Sequence, residues 1–228
     1  MKTKEYVACV SEALLAHADA KRAQEMKAYL RGQFDFLGIQ TPTRRLICKN
    51  LPTLPSDPAA LMEAANALWK KPEREFRYVA CDLLAKNAKL FTANDLPAFK
   101  NLLQKDAWWE TVDSLSGAIG DIVLNEKNKG TSSKKVMDAW LMDDDFWVRR
   151  SAMIHQLGWR LHTDTERLSR YALTLSSESE FFIRKAIGWA FRDYAKWNPE
   201  FVRGFMKKHA STFSSLTVRE ATKNLDRI

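Results

Sequence analysis

The stretch FFIRKAIGWAF, residues 181–191, recurs in weaker form along the chain. Its counterparts are EFRYVACDLL (75–84), ETVDSLSGAIGDIV (110–123), FWVRRSAMIHQL (146–157) and LTVREATKNL (216–225). They align without gaps, each passing from an apolar residue into a polar slot and then into small or apolar residues. The slot holds Arg77, Asp113, Arg149, Arg184 and Arg219, at spacings of 36, 36, 35 and 35 residues. Arg44, in IQTPTRRLI (39–47), stands 33 residues before Arg77 and marks a degenerate first copy. Between these segments lie further helical patterns, such as PAALMEAANALWK, LPAFKNLLQ, SKKVMDAWLM, ERLSRYALTL and PEFVRGFMKKH. A helix–turn–helix unit of about 35 residues cannot bury its apolar faces alone, so its copies must stack. The sequence predicts an all-α fold, an α-solenoid of HEAT-like helical repeats with a concave binding face, as one domain over residues 1–228. The last segment, LTVREATKNLDRI, reads as the capping repeat of a monomer.

Asp113 is the one slot residue of the five that is not arginine. Departures from a local rule concentrate at functional positions. At about 100° per residue, Trp108, Val112, Leu115, Ile119, Ile122 and Val123 form the core stripe of this helix. Trp109 and Asp113, at i and i+4, share another stripe with Ser116, Gly117 and Gly120, small residues that would admit a close approach to the backbone. In the helix after Glu180, Ile183, Ala186, Ile187, Ala190, Phe191 and Tyr194 form the core stripe. Lys185, Trp189, Arg192 and Lys196 lie roughly opposite, which places an indole among cations on the non-core face. The helix containing Arg149 and Arg150 is apolar all round, so periodicity leaves open which arginine faces the binding surface. The acidic run Asp143 to Asp145 reads as its N-cap.

Composition narrows the function. Thirty-six Lys and Arg against 28 Asp and Glu give a net charge of +8, which suits a polyanionic partner such as nucleic acid. Cys9, Cys48 and Cys81 are scattered and odd in number, which argues against disulfides and for a reducing, cytoplasmic setting. The four histidines lack metal-ligand spacing, so neither a metal nor a cofactor is expected. The N-terminal MKTKEYVACVSEALLAHA reads as an amphipathic helix rather than a leader, and no apolar run reaches the roughly 18 residues of a membrane span.

With these residues in view, the sequence resembles the AlkD family of DNA alkylation repair glycosylases. The resemblance runs from YLRGQFDFLGIQTPTRR through PEREFRYVACD and WWETVDS to FFIRKAIGWAFRDYAKWNP. It implies HEAT-like repeats around duplex DNA and, in base excision repair, hydrolytic release of positively charged N-alkylated purines such as 3-methyladenine and 7-methylguanine, without base flipping. It also implies that Asp113 is the catalytic aspartate, that Trp109 and Trp189 are the active-site tryptophans, and that Arg150 is the catalytic-site arginine. Tyr29 matches a tyrosine that contacts DNA.

One carboxylate suffices for this chemistry. Ordinary glycosidases use a second carboxyl group as an acid for the leaving group, whereas an alkylated purine already carries its positive charge and leaves neutral. Asp113 would face the cationic sugar and position water, and the indoles of Trp109 and Trp189 would hold the sugar. Arg150 is expected to anchor a phosphate, because a cation near the sugar opposes the reaction. Arg149, Lys185, Arg192 and Lys196 are expected as sequence-independent phosphate contacts. The competing readings are a noncatalytic repeat protein that binds distorted or branched DNA, and a protein-binding scaffold.

Overall fold

A computed structural model describes residues 1–126, 132–223 and 225. Among the described residues the chain is helical, with one isolated β-bridge between Asp35 and Glu73. The helices group into two compact units, Met1–Phe91 and Thr92–Ile228.

The first unit holds α1 (Thr3–Leu15), α2 (Ala20–Tyr29), α3 (Thr41–Lys49), α4 (Pro58–Trp69) and α5 (Arg74–Lys86). Here α4 pairs with α5, and α1 and α3 pack against that pair. The Glu75 carboxylate is fully buried and accepts the backbone N–H groups of Leu37, Gly38 and Ile39 at 2.8–3.0 Å, which ties the loop before α3 to α5. Gly38, at φ +90° and with Asp19 O where a Cβ would stand, permits that turn.

The second unit holds α6 (Leu96–Gln104), α7 (Trp109–Glu126), α8 (Ser133–Trp140), α9 (Phe146–Ile154), α10 (Thr165–Thr174), α11 (Phe181–Ala195), α12 (Pro199–Lys208) and α13 (Ser215–Thr222). These form four successive helix pairs, in the alternation expected of the repeat. Their second helices form a row in which α9 packs on α7 and α11, and α13 packs on α11. The all-α, helical-repeat class expected from the sequence holds. The expected terminal cap is described only through residue 223 and at 225, and the rest of it lies outside the described residues.

The starts of the helices are written locally. Asp57, Asp145, Asp164, Asn198 and Ser214 each cap an N terminus by accepting a backbone N–H. The acidic run before α9 behaves as expected, since the Asp145 carboxylate accepts Trp147 N–H at 2.8 Å.

Close packing along the row depends on two glycines. A Cβ on Gly120 of α7 would stand 1.9 Å from His155 O, and one on Gly188 of α11 would stand 2.5 Å from the Glu220 Cβ of α13. Gly120 therefore admits the protein's own backbone, not an outside ligand. Ser116 is likewise buried, 2.9 Å from Ser151 Oγ of α9. Only Gly117 of the small-residue stripe has open space around it.

At Arg77, Arg149 and Arg184 the repeated slot is structural. Arg77 donates to Lys71 O and Pro72 O, each at 3.3 Å. Arg149 donates to Asp143 O at 2.6 Å and Asp144 O at 2.9 Å, and Arg184 donates to Glu178 O at 2.9 Å. In each case the accepting carbonyls belong to the turn between the two helices of a pair. The slot arginine thus supplies donors that the end of the preceding helix lacks.

Candidate active site

Asp113 lies one turn into α7, four residues after Trp109, and both are half-buried. Its carboxylate meets Arg150 of α9 in a two-pronged pair, Nε to Oδ1 at 2.8 Å and Nη2 to Oδ2 at 2.8 Å. The third prong of the guanidinium, Nη1, donates to Phe182 O at 2.5 Å. Arg150 is 1% exposed, while the Asp113 side chain keeps 21% of its surface. The carboxylate therefore faces outward with the cation behind it.

The fork fixes the Asp113 rotamer, because a planar guanidinium matches a carboxylate in one orientation. Burial pushes the Asp113 carboxyl above its ordinary value, with a smaller push from Glu110, while the hydrogen bonds and charge of Arg150 pull it down. Each of the three guanidinium nitrogens already has an acceptor, and the guanidinium is almost wholly covered. Arg150 was expected as a phosphate anchor; in the structure its guanidinium pairs with Asp113 and orients that carboxylate.

Trp189 of α11 completes the group. The Arg150 guanidinium carbon stands 5.2 Å from the centre of its ring, Lys185 Nζ 5.3 Å and the Arg192 guanidinium carbon 5.8 Å. Three cations surround one indole: Lys185 and Arg192 come from the stripe read in the sequence, and Arg150 of α9 was not part of it. Trp108, expected in the core, packs edge-on against Phe182 at 5.5 Å and tilts against Trp147 at 6.0 Å. This aromatic wall backs the ion pair.

The expected phosphate contacts divide. Arg149 is committed to Glu178, Nε to Oε1 at 2.6 Å and Nη2 to Oε2 at 3.0 Å, as well as to its turn carbonyls, so it serves the turn rather than a phosphate. Lys185 and Arg192 share Glu220 of α13, at 3.2 and 2.5 Å. Neither stands as the bare phosphate cation expected. Lys196 is 57% exposed and reaches Asp193 of its own helix at 2.9 Å, a pairing that solvent weakens. Tyr29 is 74% exposed and belongs to the first unit.

Glu220 was missed in the sequence, although a signal existed. The residue after the slot is Arg150, Lys185 and Glu220 in successive copies. Arg150 and Lys185 each reach a neighbouring repeat, toward Asp113 and Glu220 respectively.

The family model for DNA alkylation repair enzymes matches residues 10–225. The chain belongs to that family. A similar solved structure is that of a predicted DNA alkylation repair enzyme from Enterococcus faecalis, with 31% identity, a TM-score of 0.82, and coverage of 92% of this chain and 98% of that one. A search of curated proteins finds no match. Membership makes the protein an enzyme of DNA alkylation repair, with DNA as its substrate. Among the described residues, no helix is long and apolar enough to cross a membrane, and no group of three or more His, Cys, Asp or Glu is placed to hold a metal ion.

Proposed function

We propose that this family member is an alkylpurine DNA glycosylase of the AlkD type. It hydrolyses the N-glycosidic bond of positively charged N3- or N7-alkylated purines in duplex DNA, acting as a monomer at the first step of base excision repair. The observation that carries this reading is the Asp113 carboxylate, oriented by buried Arg150 beside the Trp189 indole.

The bond from C1′ to the purine nitrogen breaks with its electron pair moving to the base, which leaves neutral. Positive charge then develops on the sugar. A carboxylate about 4 Å from that charge contributes about 4 kcal/mol at an effective dielectric near 20. Arg150 lies behind the carboxylate and opposes the sugar from about twice that distance, which leaves about 2 kcal/mol, or roughly thirtyfold in rate. That is less than a lone carboxylate would give, so the account needs further contributions. The indole of Trp189, and that of Trp109 one turn before Asp113, present electron-rich faces to a cationic sugar. Asp113 also accepts a hydrogen bond from the water that adds at C1′ and takes up its proton.

None of these steps requires the base to leave the stack, so lesions too bulky for a closed pocket remain substrates. The test is incubation with N-methylated duplex DNA and chromatography of the released material. Free 3-methyladenine and 7-methylguanine are expected. Intact duplex binding without any free base contradicts the reading and favours a noncatalytic DNA-binding role.

A further inference from the structure

The Trp189 indole is held in an unusual way. Its ring N–H has no hydrogen-bond partner among the described residues. What flanks the ring is charge: Lys185 one turn before it, Arg192 nearly one turn after it, and Arg150 from α9. Two of those three cations end on a single carboxylate. Glu220 Oε1 lies 3.2 Å from Lys185 Nζ and Oε2 lies 2.5 Å from Arg192 Nη1, with the Glu220 side chain only 12% exposed. The two cations hold that carboxyl below its ordinary range against the opposing effect of burial, so it is an anion at neutral pH. Gly188, the residue before Trp189, allows the contact, because any larger residue there would meet the Glu220 Cβ. The carboxylate, both cations and the indole thus form one unit spanning α11 and α13.

We infer that Glu220 is a positioning residue of this site: it holds Lys185 and Arg192 against the Trp189 indole and masks their charge from DNA. The inference rests on the proposed function for its catalytic consequence, though not for its electrostatic one. Two cations sharing one anion present about one net charge to a duplex, and their side chains are fixed rather than extended toward phosphates. Without the carboxylate, both would be released, the duplex would bind more tightly, and the indole would lose two of its three neighbouring charges.

The test compares wild type, Glu220→Gln and Glu220→Asp. It reads the affinity for an undamaged duplex against salt, the excision rate with enzyme in saturating excess, and thermal stability. Glu220→Gln is expected to bind at least threefold more tightly at low salt and to steepen the slope of log K against log salt by up to about two. It should also excise about tenfold more slowly when fully bound. Glu220→Asp keeps the charge but is one methylene too short to span both cations, so it should keep the wild-type slope and still excise slowly.

A merely structural carboxylate predicts something else, namely loss of stability with affinity unchanged or weaker. That result in Glu220→Gln overturns the inference, as does a wild-type excision rate in Glu220→Asp. If Glu220→Gln fails to fold, the aspartate variant alone decides. Because binding is read on undamaged DNA, a wild type that releases no base overturns the proposed function and leaves the masking to be judged on the slope. A wild type that does not bind duplex overturns both.

Discussion

Asp113 and Arg150 form the pair on which the proposed chemistry turns, and each constrains the other. The carboxyl is pushed up by burial and pulled down by the guanidinium. Only its anionic form stabilises a cation, so excision should decline as pH falls through a value higher than that of a free aspartate. Arg150→Gln removes the downward pull, and the acid limb of the pH–rate profile should move to higher pH. An unmoved limb in single-turnover rates would place the titration elsewhere. The slot exception made Asp113 legible in the sequence, and the cation stripe did the same for Trp189. The role of Arg150 was not legible, because its helix is apolar all round and only packing shows which way a side chain points. The phosphate role expected for it assumed a surface position, whereas the guanidinium is 1% exposed.

Helices and turns were the most legible level. A period near 35 residues and apolar stripes made the pairs legible, and the acidic run before α9 marked one helix start. The glycines were harder, since sequence cannot distinguish a gap left for a ligand from one filled by a neighbouring helix. Gly120 belongs to the second kind. Gly120→Ala should destabilise the fold by about 2 kcal/mol or more, because the obstacle is the His155 carbonyl on backbone. Gly204, in α12 with nothing near its absent Cβ, should give the opposite sign, Gly204→Ala stabilising by about 0.5–1 kcal/mol. Melting temperatures of the two variants check this, and equal shifts would remove the close-packing argument. His155 itself is fully buried, its Nδ1–H donating to Ala152 O, and burial drives its pKa down to about 4. The unfolded chain binds that proton more readily between pH 6.5 and 4, so this part of the stability is present above 6.5 and lost on acidification. His155→Gln should flatten the dependence of melting temperature on pH in that window. Calorimetry across it would show an unchanged slope if another group were responsible.

At the scale of the molecule, the net charge of +8 implied a polyanion, and the family supplies DNA. The structure refines how much of that charge is available. Arg149, Arg150, Lys185 and Arg192 all carry carboxylate partners, so the cations near the site are fewer than composition suggests. Duplex binding should weaken with salt, and Lys196→Ala, which removes a half-exposed cation, should reduce the slope by about one at most. An increase would contradict a phosphate contact there. The central claim is that the Asp113 anion drives base release rather than DNA binding. Removing it also leaves Arg150 as a buried cation without its counter-charge, a loss of about 3 kcal/mol that stability measurements must allow for. The decisive measurement is the single-turnover release of 7-methylguanine from duplex DNA by wild type and folded Asp113→Asn, each with all substrate bound. The account predicts unimpaired binding and a rate roughly a thousandfold lower in the variant, because the carboxylate's contribution of about 4 kcal/mol goes while Arg150 stays. Equal rates would show that the carboxylate takes no part in the reaction.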